Sequence, residues 1–143
     1  MRRTLGFLIV ILIVSTASVF AGTKVKLVDA LIQVESKGNL DAIGDGGKAI
    51  GCLQIHKEVI DDVNKHYPNY YREKLYTVDD AFCKDKAIEI CWLYLKYWGN
   101  QYKRKHNKIP TKEVYVRIWN GGPTGYEKQS TIKYWNKVKK ILQ

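Results

Sequence analysis

Val25-Lys26-Leu27-Val28-Asp29-Ala30-Leu31-Ile32-Gln33-Val34-Glu35-Ser36 is the stretch on which the fold turns. Leu27, Val28, Leu31, Ile32 and Val34 recur at the three-four spacing of an amphipathic helix. Gly38-Asn39 supplies its stop. One apolar face therefore points inward, and a carboxylic acid, Glu35, is left where the helix ends. Just beyond lies Asp45-Gly46-Gly47-Lys48-Ala49-Ile50-Gly51-Cys52-Leu53-Gln54-Ile55, whose glycines predict a turn region or short hairpin.

Further out, Glu58 to His66 reads as a short helix halted before Pro68, and residues 67–76 as an aromatic, polar connection. Thr77-Val78-Asp79-Asp80 resembles a capping signal and opens the longest predicted helix, residues 79–98. Phe82, Ile88, Cys91, Trp92, Leu95 and Trp98 form its apolar stripe, read as core. Residues 103–110 read as a basic linker. Helices are predicted over 111–119, stopped by Asn120-Gly121-Gly122-Pro123, and over 131–142. The fold class is mainly α: a helical bundle around a catalytic cleft, with a small glycine-rich turn or hairpin region.

The 143 residues suffice for one domain. Arg2-Arg3, the apolar run Leu5 to Val14 and Val19-Phe20-Ala21 read as a signal peptide over residues 1–21, leaving an exported domain over 22–143. The alternative is a membrane anchor through residues 5–20. The net charge of +10, or +8 without Arg2 and Arg3, favours anionic partners. Export makes an anionic cell envelope a better candidate than nucleic acid. Lys133, Lys137, Lys139 and Lys140 read as a solvated helix face.

Of the three cysteines, Cys83 and Cys91 fall on one predicted helix. At a rise of ~1.5 Å per residue they stand about 12 Å apart, beyond the ~7 Å reach of a bridge. An internal disulfide would thus involve Cys52, the alternative being three buried small hydrophobes. His56, His66 and His106 are scattered and read as surface residues, so no metal site or cofactor is predicted.

Cleaving a glycosidic bond needs a carboxylic acid held protonated by an apolar site. Glu35, at the end of an apolar helix, meets that need, as against an ordinary exposed helix-terminal glutamate. Gln54 can bond a sugar amide or brace the chain near Glu35. Asn120 can donate and accept at once, or simply cap a helix before glycine. Asp45 can serve as the second carboxylate of a hydrolase or as a turn residue before Gly46-Gly47.

With these residues the chain resembles the lysozyme-like superfamily of soluble lytic transglycosylases and goose-type lysozymes. Glu35-Ser36 looks like the family's Glu-Ser, Gly51-Cys52-Leu53-Gln54-Ile55 like its Gly-Leu-Met-Gln element, and Trp119-Asn120-Gly121-Gly122 like its Tyr-Asn-x-Gly element. Arg117 to Pro123 is also similar to invertebrate-type lysozymes. Cys52 and Trp119 depart from the pattern. The resemblance implies a muramidase cleaving the β-1,4 bond between N-acetylmuramic acid and N-acetylglucosamine, as a lysozyme or a lytic transglycosylase. Glu35 and Asp45 would be catalytic. Ser36, Gln54, Ile55, Trp119, Asn120 and Gly121 would bind peptidoglycan glycan strands, with the chain a monomer. The alternative is a non-catalytic cell-wall-binding module on the same fold.

Overall fold

The computed structural model describes residues 16–68 and 75–143, with side chains from Lys26 onward. Among these residues the architecture is helical with one small hairpin. Five α-helices run Thr16–Glu35 (α1), Lys57–His66 (α2), Lys84–His106 (α3), Lys112–Gly121 (α4) and Ile132–Ile141 (α5). Strands Ile43–Gly44 (β1) and Ala49–Ile50 (β2) pair antiparallel, with Ile43 opposite Ile50 and Gly44 opposite Ala49. Mainly α is therefore the observed class.

α1 ends as the apolar pattern predicts and is already helical at Thr16, the first described residue, ahead of the expected start at Val25. It runs through the expected cleavage point after Ala21; residues 1–15 of the expected signal peptide lie outside the described residues. No helix among the described residues is long and apolar enough to cross a membrane. Leu27, Val28, Leu31 and Ile32 are buried, as their spacing requires. They meet Leu53 and Ile55 from the turn region, Ile90 and Leu95 from α3, Ile118 from α4 and Val138 from α5 in one core.

The predicted helix over 79–98 is divided and displaced. Val78–Phe82 is a 3-10 turn with a Thr77–Asp80 capping box, and α3 starts only after Cys83. α3 then runs on through Gly99 to His106, across the start of the expected basic linker. Gly99 lets Tyr115 approach the helix closely: a Cβ there would lie 2.5 Å from the Tyr115 ring. The terminal Lys103-Arg104-Lys105-His106 run suits the negative pole of the helix. Asn107, in the left-handed conformation at φ 51°, closes it.

All three cysteines are free thiols; Cys52 and Cys91 are buried, and Cys83 is exposed. The reading of three buried hydrophobes thus holds for two of them.

The Glu35 cleft, a candidate functional site

The hairpin, the start of α2, the middle of α3 and the end of α4 surround an open cleft of about 530 Å³. Glu35 enters it from the end of α1, Asp45 from the turn between the strands, and Gln54 and Ile55 from the segment after β2. Trp119, Asn120 and Gly122 close the far side, from α4 and the turn that follows it.

Glu35 is the most constrained group of the cleft. Tyr134 Oη donates to Glu35 Oε1 at 2.6 Å, and Trp119 Nε1 donates to the same oxygen at 3.2 Å. Burial pushes the carboxyl above its ordinary 4.5, against the pull of these two donors and of the charges of His56 and Lys137. The desolvation cost of a buried carboxylate outweighs the hydrogen bonds that favour it. Trp119 is itself fixed, its ring edge-on to Tyr94 with centroids 6.0 Å apart.

The loop that presents Asp45 is built from left-handed turns. Asp45, Gly46 and Gly47 all have positive φ. Asp45 is exposed and lies 3.7 Å from His56 Nε2. Gln54 is also left-handed, at φ 49°, and its amide is committed to the main chain. Its Nε2 donates to Gly51 O at 2.9 Å and to Ala42 O at 3.2 Å. Its Oε1 sits against Gly44, where a Cβ would fall 2.3 Å away.

Of the eight residues singled out from the sequence, six line the cleft: Glu35, Asp45, Gln54, Ile55, Trp119 and Asn120. Ser36 and Gly121 do not. Ser36 Oγ donates to Cys52 O at 2.9 Å, tying α1 to the turn region. Gly121 lies under Thr131, whose Cγ2 would be 2.5 Å from an added Cβ. Sequence reasoning missed Tyr134, which sits 99 residues from Glu35 and carries no local signal of its role. It also missed Tyr94, His56 and Glu58, which line the cleft as well. Among the described residues no group of His, Cys, Asp and Glu could hold a metal ion.

No family model matches the chain, and no curated protein matches it. Among solved structures, a chain is similar in the crystal structure of Aeromonas hydrophila PliI in complex with Meretrix lusoria lysozyme. The TM-score is 0.63 at 24% identity, over 81% of this chain and 88% of that one. That likeness shows the fold.

It also corrects the expected family, since it leads to a PliI–lysozyme complex and not to a soluble lytic transglycosylase or goose-type lysozyme. Corrected with the family are what followed from it: the muramidase activity, the enzyme class, and glycan strands of the anionic envelope as partner. The complex records a protein bound to a protein. The physical reason lies in the motifs. Ser36 and Gln54 are spent on main-chain carbonyls, and Gly122 ends α4 at φ 81°. These parts of the motifs serve the local geometry of the fold, while Glu35, Trp119 and Asn120 line the cleft.

Proposed function

We propose that this protein is an exported recognition protein that engages a protein partner, of the kind joined in a lysozyme–PliI complex, at the Glu35 cleft. The single observation behind this reading is the fold likeness to a chain taken from such a complex. The cleft supports it. Glu35 is held by two donors from α4 and α5, and Trp119 is braced by Tyr94, so the floor is set before a partner arrives. Such preorganisation lowers the ordering cost of association. Asp45 and Asn120 stand exposed at the mouth, where a polar rim belongs. Arg2-Arg3 and the apolar run after them support export. On this reading the cleft binds, with Glu35 held in its floor by Tyr134 and Trp119.

Calorimetric titration of the purified protein against an invertebrate lysozyme, and separately against PliI, tests the reading. Saturable binding to one of the two is expected, weakened at least about tenfold by Asn120→Arg, which crowds the cleft mouth. Binding to neither protein, or release of muropeptides from purified peptidoglycan, would refute it.

A further inference from the structure

A second groove, of about 240 Å³, opens beside the cleft and shares Glu58, Val59, Tyr94 and Pro123 with it. Asp62 and Trp98 complete its lining. We propose that this groove is an arginine-recognition subsite, taking a guanidinium side chain projected by the protein partner. The inference rests on the reading of the cleft as a protein-binding site and names the chemistry of what enters beside it.

Charge is the first argument. The chain carries 24 lysines and arginines, yet none lines this groove. Its ionisable lining is Glu58, Asp62 and Tyr94. Burial, and then the Asp62 charge, push the Tyr94 hydroxyl up to about 12, so Tyr94 presents a neutral ring.

Geometry is the second. Trp98 Nε1 donates to Asp62 Oδ2 at 2.6 Å, while His66 Nε2 lies 3.1 Å from Asp62 Oδ1. Tyr97 packs edge-on to Trp98 at 5.0 Å, and Tyr94 lies tilted to it at 6.4 Å. Asp62 is thus tied to the indole through one oxygen and to His66 through the other. Glu58, in the first turn of α2, is exposed and makes no ion pair among the described residues. The groove thus combines a fixed aromatic wall with one uncommitted carboxylate.

A guanidinium answers both, because it stacks on an aromatic face and presents a planar fork of donors to a carboxylate. A purely apolar side chain would cover the rings and leave Glu58 unanswered. An ammonium is a compact, strongly hydrated point charge without the flat face.

The probe is N-acetyl-arginine-N-methylamide, with the citrulline analogue as its neutral isostere. Each is titrated into the protein while the Trp98 indole N–H resonance is followed. The arginine probe should shift that resonance saturably, and citrulline should bind at least about tenfold more weakly. Glu58→Gln should remove most of this preference. Equal binding of the two probes, no saturable shift with arginine, or a preference that survives Glu58→Gln would overturn the subsite. If Glu58→Gln leaves partner affinity intact in calorimetry, the subsite fails while the protein-binding reading of the cleft stands. If the arginine preference is present but neither protein partner binds, the partner reading fails instead.

Discussion

Replacing Gly51 by alanine, with Gly46→Ala as its control, separates two costs that glycines commonly hide together. Both residues have positive φ, 71° at Gly51 and 62° at Gly46. A side chain at either position incurs the left-handed penalty, about 1–2 kcal/mol. Their surroundings differ. An added Cβ at Gly46 meets nothing within 4 Å, whereas at Gly51 it would lie 2.0 Å from the carbonyl oxygen of Ala81. Gly51 cannot yield freely, because its N–H donates to Ala42 O at 2.8 Å and its carbonyl accepts from Gln54 N at 3.0 Å. Nor can Ala81, fully buried in the 3-10 turn before α3. Overpacking of this kind adds about 1–3 kcal/mol, occasionally more. Gly46→Ala should therefore cost about 1 kcal/mol and Gly51→Ala about 2–5 kcal/mol in urea unfolding, with unchanged slopes. Equal losses in the two variants would show that the contact with Ala81 relaxes freely and would refute the steric argument.

Three further outcomes are expected. Because the Glu35 carboxyl is raised in the fold, its contribution to stability is complete below about 4.5, the unfolded value, and is lost as pH rises through the folded value. Glu35→Gln should flatten that decline, so a difference in unfolding free energy between variant and native that does not change with pH would contradict the assignment. The Thr131 hydroxyl, 1% exposed, accepts from Arg117 Nε at 2.9 Å and has the carbonyls of Gly125 and Lys128 each 2.8 Å away. Thr131→Val should destabilise by about 1–3 kcal/mol in chemical denaturation; a loss under a few tenths would mean that another group takes over those bonds. Trp98→Phe removes the donor to Asp62 Oδ2 and should cost a similar amount, together with an altered His66 ring signal in NMR; an unchanged His66 signal would count against the Trp98–Asp62–His66 chain.

Periodicity made the helices legible wherever one face is buried. The end of α1 and most of α2, α4 and α5 follow directly from the apolar spacing, with boundaries shifted by a residue or two. The hairpin follows from Asp45-Gly46-Gly47. α3 runs past its predicted end because the apolar stripe that marks it in the sequence stops at Trp98, while the helix continues to His106. Gly99 fits within it against Tyr115, which lies on another helix. The site shows the same limit. Glu35, Gln54 and Trp119 stand out as residue types, but the partner of Glu35 with the shortest hydrogen bond, Tyr134, is a tyrosine in an amphipathic helix like many others. What short motifs suggested about chemistry was also less secure than what they said about shape. The Ser36 and Gln54 side chains turn out to serve main-chain carbonyls.

The three thiols are sorted by position in a way that makes the chain ready for attachment chemistry. Burial pushes the thiols of Cys52 and Cys91 up, and both side chains are sealed in the core. Little thiolate forms there, and no reagent reaches it. Cys83 is exposed where the 3-10 turn passes into α3, two residues beyond Ala81, whose carbonyl faces Gly51. A maleimide dye or spin label added to the native protein should therefore mark one position alone, with no cysteine removed beforehand. It would report from the segment on which the cleft's glycine-rich loop rests.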